Sequence, residues 1–267
     1  MNGMLAQTAA LVAHAKASRV DPSAGGDAGY WRDHSTFQYV HSLSFLERRR
    51  RLFRASVETV ATGVVDWLAG LRDVSPDTVN LVPAPDPGAL PGHLAAAFAG
   101  PASHGIGVEG GDAWVPRWAV THQGDPLQRI WTVAYVRAEG SAPRPSSAGL
   151  EHAREALRAA LEDARAFADS ESALSPWCET FHEAERQLAR DDPRVPYHPD
   201  ILPQKLYRTP ARQLLAASVQ GWVFGGMGSW NDVVFEGTAR GRYDTVTRRL
   251  YAAVTDALAA AVNSGLD

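Results

Sequence analysis

The sequence predicts an α+β protein that is predominantly helical, with its helices packed against a small antiparallel β-hairpin or sheet. Three observations predict it. Apolar residues recur at helical spacing in several separate segments, aromatic and β-branched residues crowd two short segments around a turn, and strands do not alternate with helices as a doubly wound nucleotide fold requires. With 267 residues, 45% hydrophobic and 21% charged, the chain has the length and balance of an ordinary soluble globular protein with a full core. The expected organisation is a helix and loop over residues 1–30 that could form a loosely attached arm, then a single globular α+β domain over 31–267.

In chain order, Met4 to Ala17 is alanine-rich and reads as a short amphipathic helix. Its end, Ala15-Lys16-Ala17, resembles a cleavage site, but the stretch has no basic leader, and Gln7, Thr8 and His14 interrupt its apolar run, against a secretory signal. The Gly/Asp/Ser stretch Asp21 to Gly29 reads as a loop. Ser44-Phe45-Leu46-Glu47 matches a capping box, and Leu46, Phe53, Val57, Val60, Val64, Leu68 and Leu71 continue at helical spacing, so a long packing helix is expected up to about Arg72. Residues 75–112 are rich in proline and glycine and read mostly as loop, with a helical turn at Leu94 to Phe98.

The period then changes. Trp114 to Val120 and Arg129 to Val136 read as two strands joined by the turn chemistry of Gln123-Gly124-Asp125-Pro126, and Pro116, lacking a donor, belongs on an edge or a bulge. After a linker at Gly140 to Ser147, Leu150, Ala153, Leu157, Leu161, Ala164 and Phe167 form one helical stripe. Trp177, Phe181, Ala184 and Leu188 form another over Pro176 to Arg190. Thr209-Pro210 opens a helix running to about Val223, and Val246, Leu250, Val254 and Leu258 mark a last helix from Tyr243 to Val262, closed by Asn263-Ser264-Gly265.

Composition excludes several classes. A net charge of −4 gives no pull toward nucleic acid or an acidic membrane surface, and no apolar run is long enough to span a bilayer. The single cysteine, Cys178, leaves no internal disulfide and no thiolate zinc site, which fits a cytoplasmic protein. The nine histidines show no metal-binding spacing, so neither a metal nor a cofactor is expected, and His182-Glu183 lacks the second histidine of a zinc-protease helix.

The candidate site is the run Phe224 to Asp232. Gly225, Gly226 and Gly228 permit positive φ and close approach, while Ser229, Asn231 and Asp232 offer polar groups beside Trp230. The spacing is neither a Walker loop nor a dinucleotide fingerprint, and the same residues suit a helix-to-helix corner with Trp230 in the core. Weaker catalytic candidates are Ser229 and Asp232 in the loop, and Cys178 with His182, four residues apart on one helix face. The Arg48 to Arg51 run with Arg54 reads as a largely solvated cluster that pairs with acids such as Glu47, Glu58, Glu155, Glu162 and Asp163. Trp114, Trp118, Trp131 and Tyr135 alternate along the hairpin and form either a core face or an aromatic surface.

Two functions remain open. The first is a cytoplasmic protein-interaction module, of an adaptor or toxin-neutralising kind, presenting the aromatic hairpin and the glycine loop to a protein partner. The alternative is a cofactor-independent small-molecule hydrolase or transferase with its pocket at Gly225 to Asp232. A deep pocket favours the enzyme, and a flat aromatic patch favours the module.

Overall fold

The computed structural model describes residues 1–51, 54–75, 78–84, 90–96, 102–108, 112–138, 149–225 and 227–266, with the backbone alone at 48–51, 54 and 55. The arginine-run side chains, Gly226 and the linker 140–147 thus lie outside the described residues. Among them are helices α1 (Gly3–Val20), α2 (Ala28–Asp33), α3 (Val64–Gly70), α4 (Gly92–Ala95), α5 (Leu150–Ser170), α6 (Cys178–Gln187), α7 (Thr209–Gln220) and α8 (Gly237–Asn263). The strands are β1 (Val40–Arg51), β2 (Arg54–Thr62), β3 (Asn80–Pro83), β4 (His104–Val108), β5 (Asp112–Val120) and β6 (Trp131–Ala138).

The helical majority matches the expectation; the small antiparallel hairpin or sheet does not. The six strands form one mixed sheet in the order β2-β1-β6-β5-β4-β3, with β1 and β6 parallel and every other neighbouring pair antiparallel. Only β5 and β6 were visible as a hairpin. Strands β3 and β4 come from the proline- and glycine-rich stretch expected as loop, and β1 and β2 from the segment expected as a long helix.

That helix is replaced by a β-hairpin, and only Val64–Gly70 is helical. Ser44 and Glu47 are not a cap. Ser44 is paired with Thr62 in β2 and Ala134 in β6, while the Glu47 carboxylate binds the Arg137 guanidinium. Burial decides the outcome: Phe45 is fully enclosed, stacked on Trp67 with ring centroids 4.7 Å apart and on Tyr135 at 5.2 Å. The β-branched residues Val57, Thr59, Val60 and Thr62 suit the paired strand β2 better than a helix interior.

The hairpin aromatics share a face. Trp114 lies opposite Arg137, Pro116 opposite Tyr135, Trp118 opposite Val133 and Val120 opposite Trp131. Tyr135 and Trp114 are buried on this face, and the Tyr135 hydroxyl meets Thr8 Oγ1 of α1 at 3.0 Å. Pro116 lies past Trp114, the last β5 residue paired with β4, so its missing donor breaks no ladder there. Gly105 is required by the same neighbour: a Cβ would stand 2.8 Å from the Trp114 carbonyl oxygen.

Residues 4–18, read as a short helix on a possible arm, lie in the observed helix α1 and supply the middle of the core. Helix α1 is buried from Met4 to Ala17 on every side, including Gln7, Thr8, His14 and Lys16, and touches the sheet, α3 and α8. Alanine makes this possible, because small side chains let a helix be covered all round. Beyond it, α5, α6, α7 and α8 pack together, their predicted stripes turned inward; Leu157, Leu161, Phe167, Phe181, Leu250, Val254 and Leu258 are all buried. The Arg154 guanidinium fastens three of them, donating to the Leu188 carbonyl and to Gln213 Oε1 at 3.1 Å. Among the described residues no helix is long and apolar enough to cross a membrane.

Candidate functional site

The glycine loop is built largely as a corner. Ser229 accepts the Asn231 N–H at 3.3 Å, while Asp232 Oδ2 accepts the Ser229 N–H at 3.1 Å, a reciprocal cap on the short 3-10 turn Trp230–Asp232. Gly228 takes φ +80°, the left-handed conformation that glycine adopts at little cost. Asn231 donates to the His93 carbonyl at 2.8 Å. Trp230 is 0% exposed, wedged among Trp177, Phe181 and Tyr243, with Nε1 donating to Thr247 Oγ1 at 2.7 Å. Ser229 and Asp232 are thus engaged with the loop's own backbone, Asn231 with the His93 carbonyl, and the tryptophan with the core.

Cys178 and His182 stand apart from this loop, on α6. Cys178 is half-buried against the core, while the exposed His182 ring has Glu185 Oε2 at 3.9 Å. Glu183 on the same helix is held by Arg186, Arg190 and Gln187. These are the pairings of a solvated helix face.

A cavity of about 460 Å³ joins features that the sequence left separate. Gly225 and Phe224 form one side, Trp118 and Trp131 of the hairpin another, and Ser35, Tyr39 and His198 a third, with Asn2 and Met4 of the α1 start closing it. The two indoles lie 5.5 Å apart at 57°. Trp131 is fixed at its backbone by an N–H bond to the Tyr39 carbonyl at 3.1 Å. Trp118 Nε1 is buried with no acceptor among the described residues, as is Trp67 Nε1 elsewhere, and Asn231 Oδ1 is buried with no donor. Such a volume suits a small organic ligand.

The polar end of the cavity is organised around Asp200. Its carboxylate accepts the Ser35 N–H at 2.8 Å and the Ser35 hydroxyl, and the Ser35 Oγ also lies 3.0 Å from His198 Nδ1. With the Ser35 O–H donated to Asp200, the Oγ accepts from His198 Nδ1–H. His198 holds φ +55°, an uncommon conformation for a side-chain-bearing residue. Behind this layer, His34 Nε2 donates to the Asp200 carbonyl at 3.0 Å, while its Nδ1 accepts from Thr36 Oγ1 at 2.9 Å. In its neutral form His14 donates Nδ1–H to the Ala24 carbonyl at 2.7 Å, and its Nε2, 3.1 Å from the Asp200 carbonyl, accepts from the Tyr30 hydroxyl at 3.2 Å. Trp31 lies flat on His34 with centroids 4.9 Å apart.

Burial sets the charge of this nest. It pushes His34 down to about 4, against the Asp200 charge, and lowers His14 and His198 as well. Burial also opposes the Asp200 charge, but the Ser35 hydroxyl and N–H and the nearby His34 outweigh it, and the carboxyl sits below its ordinary value. The nest at neutral pH therefore holds neutral imidazoles around one carboxylate. A carboxylate so well satisfied is a poor base for a serine nucleophile. Among the described residues no group of three or more histidine, cysteine, aspartate or glutamate side chains is placed to hold a metal.

The sequence reading found Gly225 and the aromatic hairpin but missed Ser35, Asp200 and the three histidines that back them. No short spacing links residues 14, 34 and 198. One weak signal existed: a helix apolar on every face must bury its polar residues too, and His14 is one of them. Compared with known proteins, the chain matches no family model, no curated protein and no solved structure.

Proposed function

We propose that this chain binds a small, flat, largely apolar molecule in the Trp118/Trp131 cavity, with a polar group of the ligand directed to Ser35 and His198. One observation carries the reading: paired indoles and the Gly225 backbone enclose about 460 Å³ whose far side presents a fixed hydroxyl and a neutral imidazole. Indole faces favour a planar partner, and a few convergent polar groups fix its orientation. Of the two functions open from sequence, the small-molecule one is supported, since Trp118 and Trp131 line a cavity and Trp230 is unavailable to a partner.

Within that reading, binding is favoured over hydrolysis or group transfer. Ser35 is the hydroxyl with the right access, yet its proton is directed to a carboxylate with little appetite for it. A second reading, contact with a protein partner at the loop tip, draws on Met227 and Val234, which are 102% and 86% exposed on either side of Trp230. Cytoplasmic residence and the absence of a nucleic-acid partner belong to the proposal as well, on the lone free cysteine and the net charge of −4.

The test is a thermal-shift and tryptophan-fluorescence screen of planar metabolites against wild type, Trp118→Leu and Ser35→Ala. A compound that stabilises wild type, quenches its fluorescence and loses both effects in Trp118→Leu supports the reading. A compound that acts equally on all three proteins overturns the assignment to this cavity.

A further inference from the structure

A second cavity, of about 450 Å³, opens on the opposite side of the segment that carries Ser35, and Val40 lines both. Its walls are Trp31, Phe37, Leu43 and Val64, which are buried apolar side chains. Its mouth is different. Arg32 from α2 and Arg129 from the loop before β6 both line it, the first exposed and the second half-buried.

Among the described residues neither guanidinium is paired with a carboxylate, whereas Arg137, Arg165, Arg186, Arg212 and Arg249 all are. Arg129 is anchored at its backbone, its N–H donating to Asp125 Oδ1 at 3.2 Å, so its side chain starts from a fixed point. The other charged or titratable groups of the lining are Asp66 and His41. His41 is stacked on His122 with centroids 3.4 Å apart and has Asp125 Oδ2 at 4.0 Å. The lining itself thus carries two guanidinium groups against the single carboxylate of Asp66, with Asp125 outside it behind His41, above an apolar floor.

We infer that this cavity is a separate binding site for an amphipathic organic anion, a carboxylate with a linear apolar body. The apolar walls take the body out of water, and either guanidinium group at the mouth offers the donors that a carboxylate accepts in a fork. A neutral molecule of the same shape would gain the first contribution and forgo the second. A cation would meet repulsion. The site differs from the Trp118/Trp131 cavity in both wall chemistry and charge, so the two can fail independently.

The probe is decanoate, kept below micelle-forming concentrations, against decanol and decylamine by isothermal titration calorimetry. Four proteins are compared: wild type, Arg129→Gln, Val65→Phe and Trp118→Leu. Val65 lines this cavity but is 42% exposed, so a phenylalanine there fills the space without opening the core. Wild type is expected to bind decanoate about ten-fold more tightly than decanol and decylamine least of all, a contrast of the size a charge-assisted pair supplies. Arg129→Gln should bring decanoate down to the level of decanol, Val65→Phe should weaken both, and Trp118→Leu should leave both unchanged. Failure of decanoate to bind, equal binding of decanoate and decanol, indifference to Val65→Phe, or loss in Trp118→Leu would each overturn the inference.

Discussion

The Asp200 carboxylate accepts the Ser35 backbone N–H at 2.8 Å across 165 positions of sequence, and with its other oxygen takes the Ser35 hydroxyl. One side chain from the loop before α7 thereby satisfies the first amide of the short 3-10 turn Ser35–Phe37, whose N-cap is His34, and this turn walls both cavities. Asp200→Ala should leave the half-buried Ser35 groups without an acceptor and cost about 1–3 kcal/mol of stability, with Asp200→Asn intermediate. Urea denaturation measures it. An Asp200→Ala variant within about 0.5 kcal/mol of wild type would behave as an ordinary surface substitution and would refute the tie.

His34 makes stability depend on pH. Burial holds it at about 4 in the folded chain, whereas the unfolded histidine takes its proton near 6.5. Between those values the unfolded chain binds a proton that the folded chain refuses, so stability is whole above about pH 6.5 and falls as pH drops toward 4. His14 and His198, also lowered by burial, act in the same direction, and Asp200, held below its ordinary value, adds its own loss at still lower pH. The gap at His34 alone corresponds to at most about 3 kcal/mol. Urea midpoints should be level from about pH 8 to 7 and decline below, with a shallower decline in His34→Gln. A wild-type midpoint constant down to about pH 5 would contradict the buried neutral state.

Trp230 is a structural residue by its surroundings. With the indole fully buried, Phe181 5.3 Å away and Nε1 bonded to Thr247, Trp230→Ala should cost about 3–5 kcal/mol. Trp230→Phe keeps much of the ring but takes the indole donor away from Thr247 Oγ1, for about 1–2 kcal/mol. Chemical denaturation of both variants checks the ranking. A Trp230→Ala protein as stable as wild type would return the indole to the surface and reopen the loop as a binding face.

What the sequence revealed and what it hid follow from how far apart the deciding partners lie. The α5 and α8 stripes were readable because Leu157 to Phe167 and Val246 to Leu258 repeat every three or four residues and turn one face to the core. Residues 44–62 were misread because their apolar spacing fits a helix locally. Their strand state is imposed by β6, ninety positions further along the chain, through pairs such as Phe45 with Tyr135. A parallel neighbour of this kind leaves no turn signature between its strands. The site suffered likewise, since Gly225, Trp118 and Ser35 meet only once the sheet and α1 are in place.

Tyr135 ties the sheet to α1 through a buried side-chain hydrogen bond. Its ring is fully buried on Phe45, and its hydroxyl donates to Thr8 Oγ1 at 3.0 Å, while Thr8 donates its own proton to the Met4 carbonyl at 2.7 Å. Gln7 Oε1, at 3.4 Å, is the weaker alternative acceptor. Burial pushes the phenol well above its ordinary range, so it stays protonated at any pH the fold tolerates. Tyr135→Phe should cost about 1–2 kcal/mol, because the Thr8 oxygen loses a donor where water cannot replace it. Thr8→Val should cost a similar amount, since the phenol then lacks its best acceptor. The double variant removes both polar partners and keeps the shape, so its cost should be clearly less than the sum, with a coupling of about 0.5 kcal/mol or more. A double-mutant cycle by urea denaturation reads this directly, and strictly additive costs would show that the two hydroxyls do not depend on each other.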